Sequence, residues 1–200
     1  LLILDEVQTG VGRTGRWMAH QDPEAAAVQP DIITLAKGLG GGLPIGAMIR
    51  LGDHAPAFSP GSHGSTFGGN PISAAAALAV LDTIESEDLL DNVAQRGQQF
   101  RTGLTGAVGV RAVRGAGLLL GVVLDAPVAK DVELAAREAG VLVNSPAPDV
   151  IRLAPALNIT ADEVAHGIGV IALAIEAVSI RAAGEEHATG AHAHAHAGPH

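Results

Sequence analysis

Lys37 ends the run Asp31-Ile-Ile-Thr-Leu-Ala-Lys37 and is followed at once by Gly-Leu-Gly-Gly-Gly42. Ile32, Ile33, Leu35 and Ala36 read as a short buried strand that stops in glycine. An ammonium at the end of such a strand calls for a partner or a chemical reason, because burial disfavours the charged form of an amine. A Schiff base with a carbonyl cofactor is one such reason; a lysine snorkelling to solvent is the ordinary alternative. Lysine is scarce here: of 12 lysines and arginines only Lys37 and Lys130 are lysines, and Lys130 falls in an amphipathic helical pattern. A second reactive group is Asp5, which closes the apolar run Leu1-Leu-Ile-Leu4. That run reads as a fully buried parallel strand with acids at its carboxyl end, where open α/β sheets place ligands.

The elements around these two residues follow in order. Thr9 to Gly15 reads as a flexible loop, and a short segment spans Trp17 to His20 before Pro23. After Lys37 the glycines and Pro44 make a tight turn into an antiparallel strand, Ile45 to Ile49. Ser59 to Gly69 is a polar, glycine-rich loop with His63, Ser65 and Thr66. Asn70-Pro71 is a strong helix start, an N-cap followed by proline at the first helical position. The alanine-rich helix after it bends near Ser86-Glu-Asp88 and runs to about Leu104. Strands are predicted at Val110–Val113, Leu118–Leu124, Val141–Asn144 and Val150–Leu153, with a helix from Val128 to Ala139 that stops at Gly140. Thr160-Ala-Asp-Glu163 is a capping box opening a last helix to about Ile180. The fold class is α/β: residues 1–105 form the end of a large domain, including a long interdomain helix, and residues 106–183 a small C-terminal domain.

Three readings compete for the first fifteen residues. Gly10-Val-Gly-Arg-Thr-Gly15 matches a dinucleotide fingerprint, but Asp5 to Thr9 separate it from the strand and no long helix follows. Four apolar residues before Asp-Glu also resemble a Walker-B strand, which would make the chain half of an ATPase whose Gly-Lys-Ser/Thr loop lies elsewhere. The third couples Asp5 to Lys37. Adjacent parallel strands lie about 4.8 Å apart with both carboxyl ends on one rim, which suits a flat pyridine ring. The acid would keep the ring nitrogen protonated, making the ring an electron sink, and the amine would hold the carbonyl carbon.

Four motifs in order carry a resemblance. Leu4-Asp-Glu-Val-Gln-Thr-Gly-Val-Gly-Arg-Thr-Gly15, Thr34-Leu-Ala-Lys-Gly-Leu-Gly-Gly-Gly42, Pro44-Ile-Gly-Ala47 and His63-Gly-Ser-Thr-Phe-Gly-Gly-Asn-Pro71 look like the class III pyridoxal-phosphate (PLP) aminotransferases. Within the class, Gly140-Val-Leu-Val-Asn144 and Val150-Ile-Arg-Leu-Ala-Pro-Ala-Leu-Asn158 look most like the members that act on acetylornithine. The likeness runs from residue 1 to about 180. It implies the fold-type-I PLP transferase architecture, as the C-terminal part of the large mixed-sheet domain plus the small C-terminal domain. It also implies pyridoxal 5'-phosphate as cofactor, with Asp5 at the pyridine nitrogen, Val7 on the ring face, Gln8 at the ring hydroxyl and Lys37 as the Schiff-base lysine. Thr66 would bind the cofactor phosphate of the adjacent subunit of a homodimer, Ser65 would lie near substrate, and Arg152 would grip a substrate carboxylate. The implied reaction moves the terminal amino group of N2-acetylornithine to 2-oxoglutarate, in arginine biosynthesis. Relatives acting on ornithine, succinylornithine or 4-aminobutyrate share the same motifs. Without the resemblance, Gln8 and Ser65 read as loop hydrogen-bonders, Thr66 as a turn cap and Arg152 as a surface partner of Asp149, and a non-catalytic remnant is an alternative for the chain. His63 is given no catalytic role, and Glu6, on the opposite strand face from Asp5, reads as structural.

Composition sets the outer bounds. Two hundred residues that are 48% apolar suffice for a real core. A net charge of −9 with no clustered basic surface argues against nucleic acid, leaving small molecules as partners. The lack of cysteine fits a reducing, cytoplasmic setting. No metal site is expected, and the longest apolar stretch, Ile168 to Ile180, interrupted by Glu176, is expected to fall short of a membrane span. The chain starts inside a strand pattern with no methionine, so it is expected to be part of something longer and poorly active alone. Residues 184–200, with His187, His192, His194, His196 and His200 among alanine and glycine, are expected to be a disordered tail.

Overall fold

The apolar run before Lys37 forms a strand, β2 (Ile32–Leu35), and the run before Asp5 forms another, β1 (Ile3–Asp5). They pair in parallel with Ile3 opposite Ile32 and Asp5 opposite Thr34, while β3 (Ala47–Arg50) pairs antiparallel to β2 with Ala47 opposite Leu35. In the order β1-β2-β3 the first strand lies at an edge. Within this chain Leu1 is 75% and Ile3 56% exposed, where the composition of the run predicts burial. The computed structural model describes residues 1–23, 28–52 and 58–194, with backbone alone for 185–194. Its chain gathers into two units, one of Leu1–Gln95 with Ala116–Leu118 and Ala156–Asn158, the other of Arg96–Gly115, Leu119–Pro155 and the chain from Ile159 onward. The division falls ten residues before the boundary that the sequence pattern suggests.

In the first unit, helix α1 (Pro71–Ser86) starts as the Asn70-Pro71 signal predicts, with Asn70 Oδ1 accepting from Ser73 N at 3.0 Å. The expected bend is a complete break, because Asp88 takes a left-handed φ of +50° before α2 (Leu89–Leu104) begins. Ile33, Leu35, Leu39, Ala77, Ile84 and Leu89 bury together with Val11, so strand, turn and helices share one core.

The second unit contains β4 (Val110–Ala116), β5 (Leu119–Leu124), β6 (Asn144–Ala147) and β7 (Val150–Leu153), in the order β4-β5-β7-β6. Helices α3 (Ala129–Glu138) and α4 (Ala161–His194) bury Val132, Ala136, Val164, Ile171 and Ile175 with Val122 and Ile151 of the sheet. The strand predicted at Val141–Asn144 starts only at Asn144. Gly140, at φ +87°, closes α3: Val141 N donates to Ala136 O at 2.9 Å and Gly140 N to Arg137 O at 3.0 Å, a Schellman reversal that uses the residues a strand would need. The capping box forms, with Thr160 N donating to Glu163 Oε2 at 2.8 Å. The last helix runs to His194, beyond the stop expected near Ile180 and into the stretch expected to be disordered. Alanine-rich sequence extends a helix that already exists without a new nucleation cost. Residues 195–200, with His196 and His200, lie outside the described residues. Within α4, Ala161–Gly184 (mean hydropathy 1.7) is long and apolar enough to cross a membrane by length and composition alone, contrary to the expectation from Ile168–Ile180. A third of that window is buried, and Val164, Ile171, Ile175 and Val178 on it belong to the unit's core.

The link between α3 and β6 is Glu133, a carboxylate only 8% exposed. It accepts from Lys130 Nζ at 2.8 Å, from Ser145 N at 2.9 Å and from the Ser145 hydroxyl, with Arg137 Nη2 at 3.3 Å. The Lys130 ammonium, then the Ser145 hydroxyl and amide, hold its pKa at about 2, below the ordinary 4.5. A pKa depressed by folding gives stability that is present above the unfolded value and lost as pH falls towards the folded one. Acidification from pH 5 to pH 2 is therefore expected to weaken the second unit, and Glu133→Gln, measured by denaturant unfolding at several pH values, should lower stability at pH 7 and flatten this acid dependence. An unchanged acid profile in Glu133→Gln would show that Glu133 is not the group responsible.

Candidate functional site

Lys37 does not sit at the buried end of a strand. β2 stops at Leu35, and Lys37 opens a short 3-10 turn, Lys37–Gly40, in which Leu39 and Gly40 take the buried positions and the lysine is exposed. Its φ is +44°, a left-handed backbone that a residue with a Cβ adopts at a cost of about 1–2 kcal/mol. Three of the glycines that follow are needed by the turn: Gly41 and Gly42 take φ of +57° and +111°, and a Cβ on Gly40 would approach Ile45 Cγ2 to 2.8 Å. The Lys37 ammonium donates to Gln8 Oε1 at 3.1 Å, across 29 residues of sequence.

Two residues before Gln8, Glu6 fixes the loop that carries it. That side chain is 3% exposed and accepts from Thr9 Oγ1 at 2.7 Å, Ala19 N at 2.9 Å and His20 N at 3.0 Å, with His20 Nδ1 also at 2.9 Å. Burial pushes the Glu6 pKa up, but the hydrogen bonds from the His20 and Ala19 amides, the His20 ring and Thr9 together bring it below the ordinary value. The loop expected to be flexible is packed. A Cβ on Gly10 would come within 2.8 Å of Leu35 Cδ2 and 2.9 Å of Glu6 O, and Val11 is buried with φ +54°.

Asp5 projects from the carboxyl end of β1 and is exposed. Its Oδ1 accepts from Val7 N at 3.0 Å and from Thr34 Oγ1 at 3.3 Å, while Oδ2 takes no hydrogen bond from the described residues. Asp5, Val7, Gln8 and Lys37 thus share one rim, joined by the β1–β2 register and the Gln8–Lys37 bond. Ser65 and Thr66 do not join them by any hydrogen bond among the described residues. Ser65 Oγ accepts from Gly68 N at 3.0 Å within its own turn, Thr66 is exposed, and the His63 ring lies 4.6 Å from that of Phe58. In the second unit, Arg152 on β7 donates from Nε to Asn144 Oδ1 at 2.8 Å. The surface pair with Asp149 does not form, because Asp149 is taken by Arg111 Nη2 at 2.7 Å. Arg152 and Asn144 line a cavity of about 500 Å³ with Phe100, Leu142, Pro155 and His166. Thr34 and Asn144 were missed as site residues; their only signal is strand register, which pairs Thr34 with Asp5 and Asn144 with Arg152.

The class-III aminotransferase family matches residues 1–175. The chain belongs to that family. It is 58% identical over 174 residues to acetylornithine aminotransferase of Streptomyces coelicolor, an alignment that covers 86% of this chain and 42% of the relative. Among solved structures, the ornithine aminotransferase of Toxoplasma gondii matches with TM-score 0.81 and 37% identity over 90% of this chain and 44% of its own. The N-acetylornithine aminotransferase of Stenotrophomonas maltophilia matches with TM-score 0.74 and 39% identity over 88% and 47%. The chain thus spans about two fifths of the length of the curated relatives it matches. The two sheets and their helices are a mixed α/β part of the PLP-dependent aminotransferase fold. The dinucleotide reading falls with this, since only the three-residue 3-10 turn Ala19–Gln21 follows the Gly10–Gly15 loop before β2 among the described residues. The ATPase reading is replaced by the family match.

The residues present fit the cofactor of class-III aminotransferases. A carboxylate with one uncommitted oxygen stands opposite Thr34, and a primary amine is held by an amide oxygen rather than by a neutralising carboxylate. The left-handed turn makes a prediction that concerns stability alone. Lys37→Gly should be more stable than Lys37→Ala by about 0.5–1 kcal/mol in denaturant unfolding, because glycine relieves the φ strain and gives back part of it in chain entropy. Equal stability of the two would mean that Lys37 is not held left-handed.

Proposed function

We propose that the whole protein is a PLP-dependent transaminase that moves the terminal amino group of N2-acetylornithine to 2-oxoglutarate. The observation that carries this reading is the Asp5, Gln8 and Lys37 rim, with its amine on a strained turn and bound to a neutral amide. The similarity to relatives named acetylornithine aminotransferase, at 53–58% identity, supports the donor. When bound, PLP supplies an aldehyde for the donor's amino group and a protonated pyridine ring that accepts electrons from the reacting carbon.

The chain's own residues do the rest. Lys37 Nζ would hold the cofactor through its carbonyl carbon, and as a free amine it would be the base for the proton at the donor's terminal carbon. Gln8 keeps that nitrogen near the rim. Asp5 holds a proton on the ring nitrogen through its charge, and Thr34 and the Val7 amide fix the carboxylate so that one oxygen faces outward. Val7 would cover a face of the cofactor ring. Arg152 takes a substrate carboxylate on its planar fork, whose geometry suits two parallel hydrogen bonds. Ser65 lies near substrate, and Thr66 serves the phosphate of the adjacent subunit of a homodimer. The exposed Phe67 (81%) and Ile72 (73%) beside that loop favour a covered surface. Over the two halves the donor carbon ends as an aldehyde, and 2-oxoglutarate becomes glutamate, a step in arginine biosynthesis. Ornithine, succinylornithine and 4-aminobutyrate remain the alternative donors.

Borohydride reduction of the full-length, cofactor-loaded protein followed by peptide mass mapping should find a pyridoxyl group on Lys37. A label on Lys130, or on no lysine, overturns the reading and favours a non-catalytic remnant. Rates with acetylornithine should exceed those with ornithine and 4-aminobutyrate, and the reverse order would reassign the donor.

A further inference from the structure

Arg152 is held in an unusual way for a cation. Its Nε is committed to Asn144 Oδ1 at 2.8 Å, while its two terminal nitrogens make no hydrogen bond or ion pair with the described residues. The bond is built into the backbone, since Asn144 and Arg152 are direct partners in the antiparallel β6–β7 ladder. Just beyond that pair the register shifts, between Asn144 and Ala147, at a segment containing Pro146, which has no amide to give to a ladder. An irregular edge strand of this kind would leave Asn144 loosely placed. It is instead pinned from α3: the buried Glu133 carboxylate accepts from both the amide and the hydroxyl of Ser145, the next residue. Helix, bulge, amide and guanidinium thus form a continuous chain of fixed contacts that ends at the cavity of about 500 Å³ lined by Asn144 and Arg152.

The chemistry of the partner matters as much as the geometry. A carboxylate at position 144 would orient Arg152 equally well but would also cancel its charge. An amide oxygen fixes the planar group through Nε and leaves the full positive charge with both terminal nitrogens for a ligand.

We propose that Asn144 is a positioning residue for substrate carboxylates, aiming the Arg152 fork into the cavity without neutralising it, and that the Ser145–Glu133 contact sets Asn144 in place. This rests on the reading of Arg152 as the carboxylate-binding group. The test uses the full-length, cofactor-loaded protein and compares Asn144→Leu, Asn144→Asp and Arg152→Ala. The readouts are KM for 2-oxoglutarate, the inhibition constant of glutarate, and the single-turnover rate with butylamine, an amine that has no carboxylate. Asn144→Leu removes the hydrogen bond that fixes the guanidinium, and Asn144→Asp keeps it but sets a carboxylate against the charge; each should raise KM and the glutarate constant about tenfold or more, with kcat and the butylamine rate within about twofold of the parent. Asn144→Asp keeps the acceptor, so its failure to restore binding would show that the neutral charge of the amide is needed. If Asn144→Asp instead binds 2-oxoglutarate as the parent does, the charge argument is overturned. If Arg152→Ala weakens carboxylate binding and Asn144→Leu does not, the positioning role is overturned and the reading of Arg152 stands. If Arg152→Ala leaves KM unchanged, the reading of Arg152 fails first. A parallel loss of the butylamine rate in Asn144→Leu would mark a structural role and likewise overturn the proposal.

Discussion

A buried carboxylate that must find donors governs the first unit. Glu6 lies next to Asp5 in sequence, and in regular strand geometry the two alternate in direction, so one faces outward and the other inward. An unsatisfied buried polar group costs about 1–3 kcal/mol, and more when charged. Glu6 meets that demand by drawing in the amides of Ala19 and His20, the His20 ring and the Thr9 hydroxyl. To reach them, the chain from Val7 to Met18 must fold back on itself. Gly10 makes the close approach to Leu35, and Val11 accepts a left-handed φ of +54°. Gln8 is carried on this loop, so its bond to Lys37 is a consequence of how Glu6 is satisfied.

The second unit solves the same problem with Glu133. Its donors come from its own helix, Lys130 and Arg137, and from Ser145 on the neighbouring strand. In each unit a buried acid that faces away from the rim or cavity fixes the backbone beside a polar side chain that faces it. The anchored residue and the polar residue on the other face are adjacent in sequence, Glu6 with Asp5 and Ser145 with Asn144, because alternation along extended chain puts neighbours on opposite faces.

Much of this was legible in the sequence, for reasons that differ by residue. Apolar runs and caps located β1, β2, β7, α1 and α3, and the runs that end near Asp5 and Lys37 pair side by side in parallel, with Asp5 opposite Thr34. Burial is the part that composition cannot supply: Leu1 to Leu4 have the residues of a central strand, and within this chain they pair on one side only, with β2. The exposed, left-handed Lys37 was not legible because the glycines after it announce a turn without saying which residue first takes positive φ. Gly10 to Gly15 looked flexible since glycine signals both freedom and close packing, and only the contacts of Gly10 decide between them. Asn144 was hidden by a strand prediction that began three residues early, which left its pairing with Arg152 undefined.

The cations differ in the chemistry of their partners, and Arg13 and Arg101 meet backbone carbonyls, of Leu118 and of Val113 and Gly115. Arg16, Arg111, Lys130 and Arg137 each meet a carboxylate, respectively Asp22, Asp149 and, for the last two, Glu133. Lys37 and Arg152 meet amide oxygens instead, Gln8 and Asn144, supplied from 29 and 8 residues away. Arg96 also meets an amide, Gln99, but only three residues along its own helix. An amide oxygen offers direction without charge. For Lys37 this matters chemically, since a carboxylate would favour the ammonium and oppose formation of the free amine that attacks a carbonyl. For Arg152 it matters electrostatically, since an arginine already neutralised has little attraction left for an incoming carboxylate. In the proposed roles the same choice of partner therefore serves two different ends, directing an amine without pairing it to a carboxylate and leaving a guanidinium its charge for a carboxylate ligand.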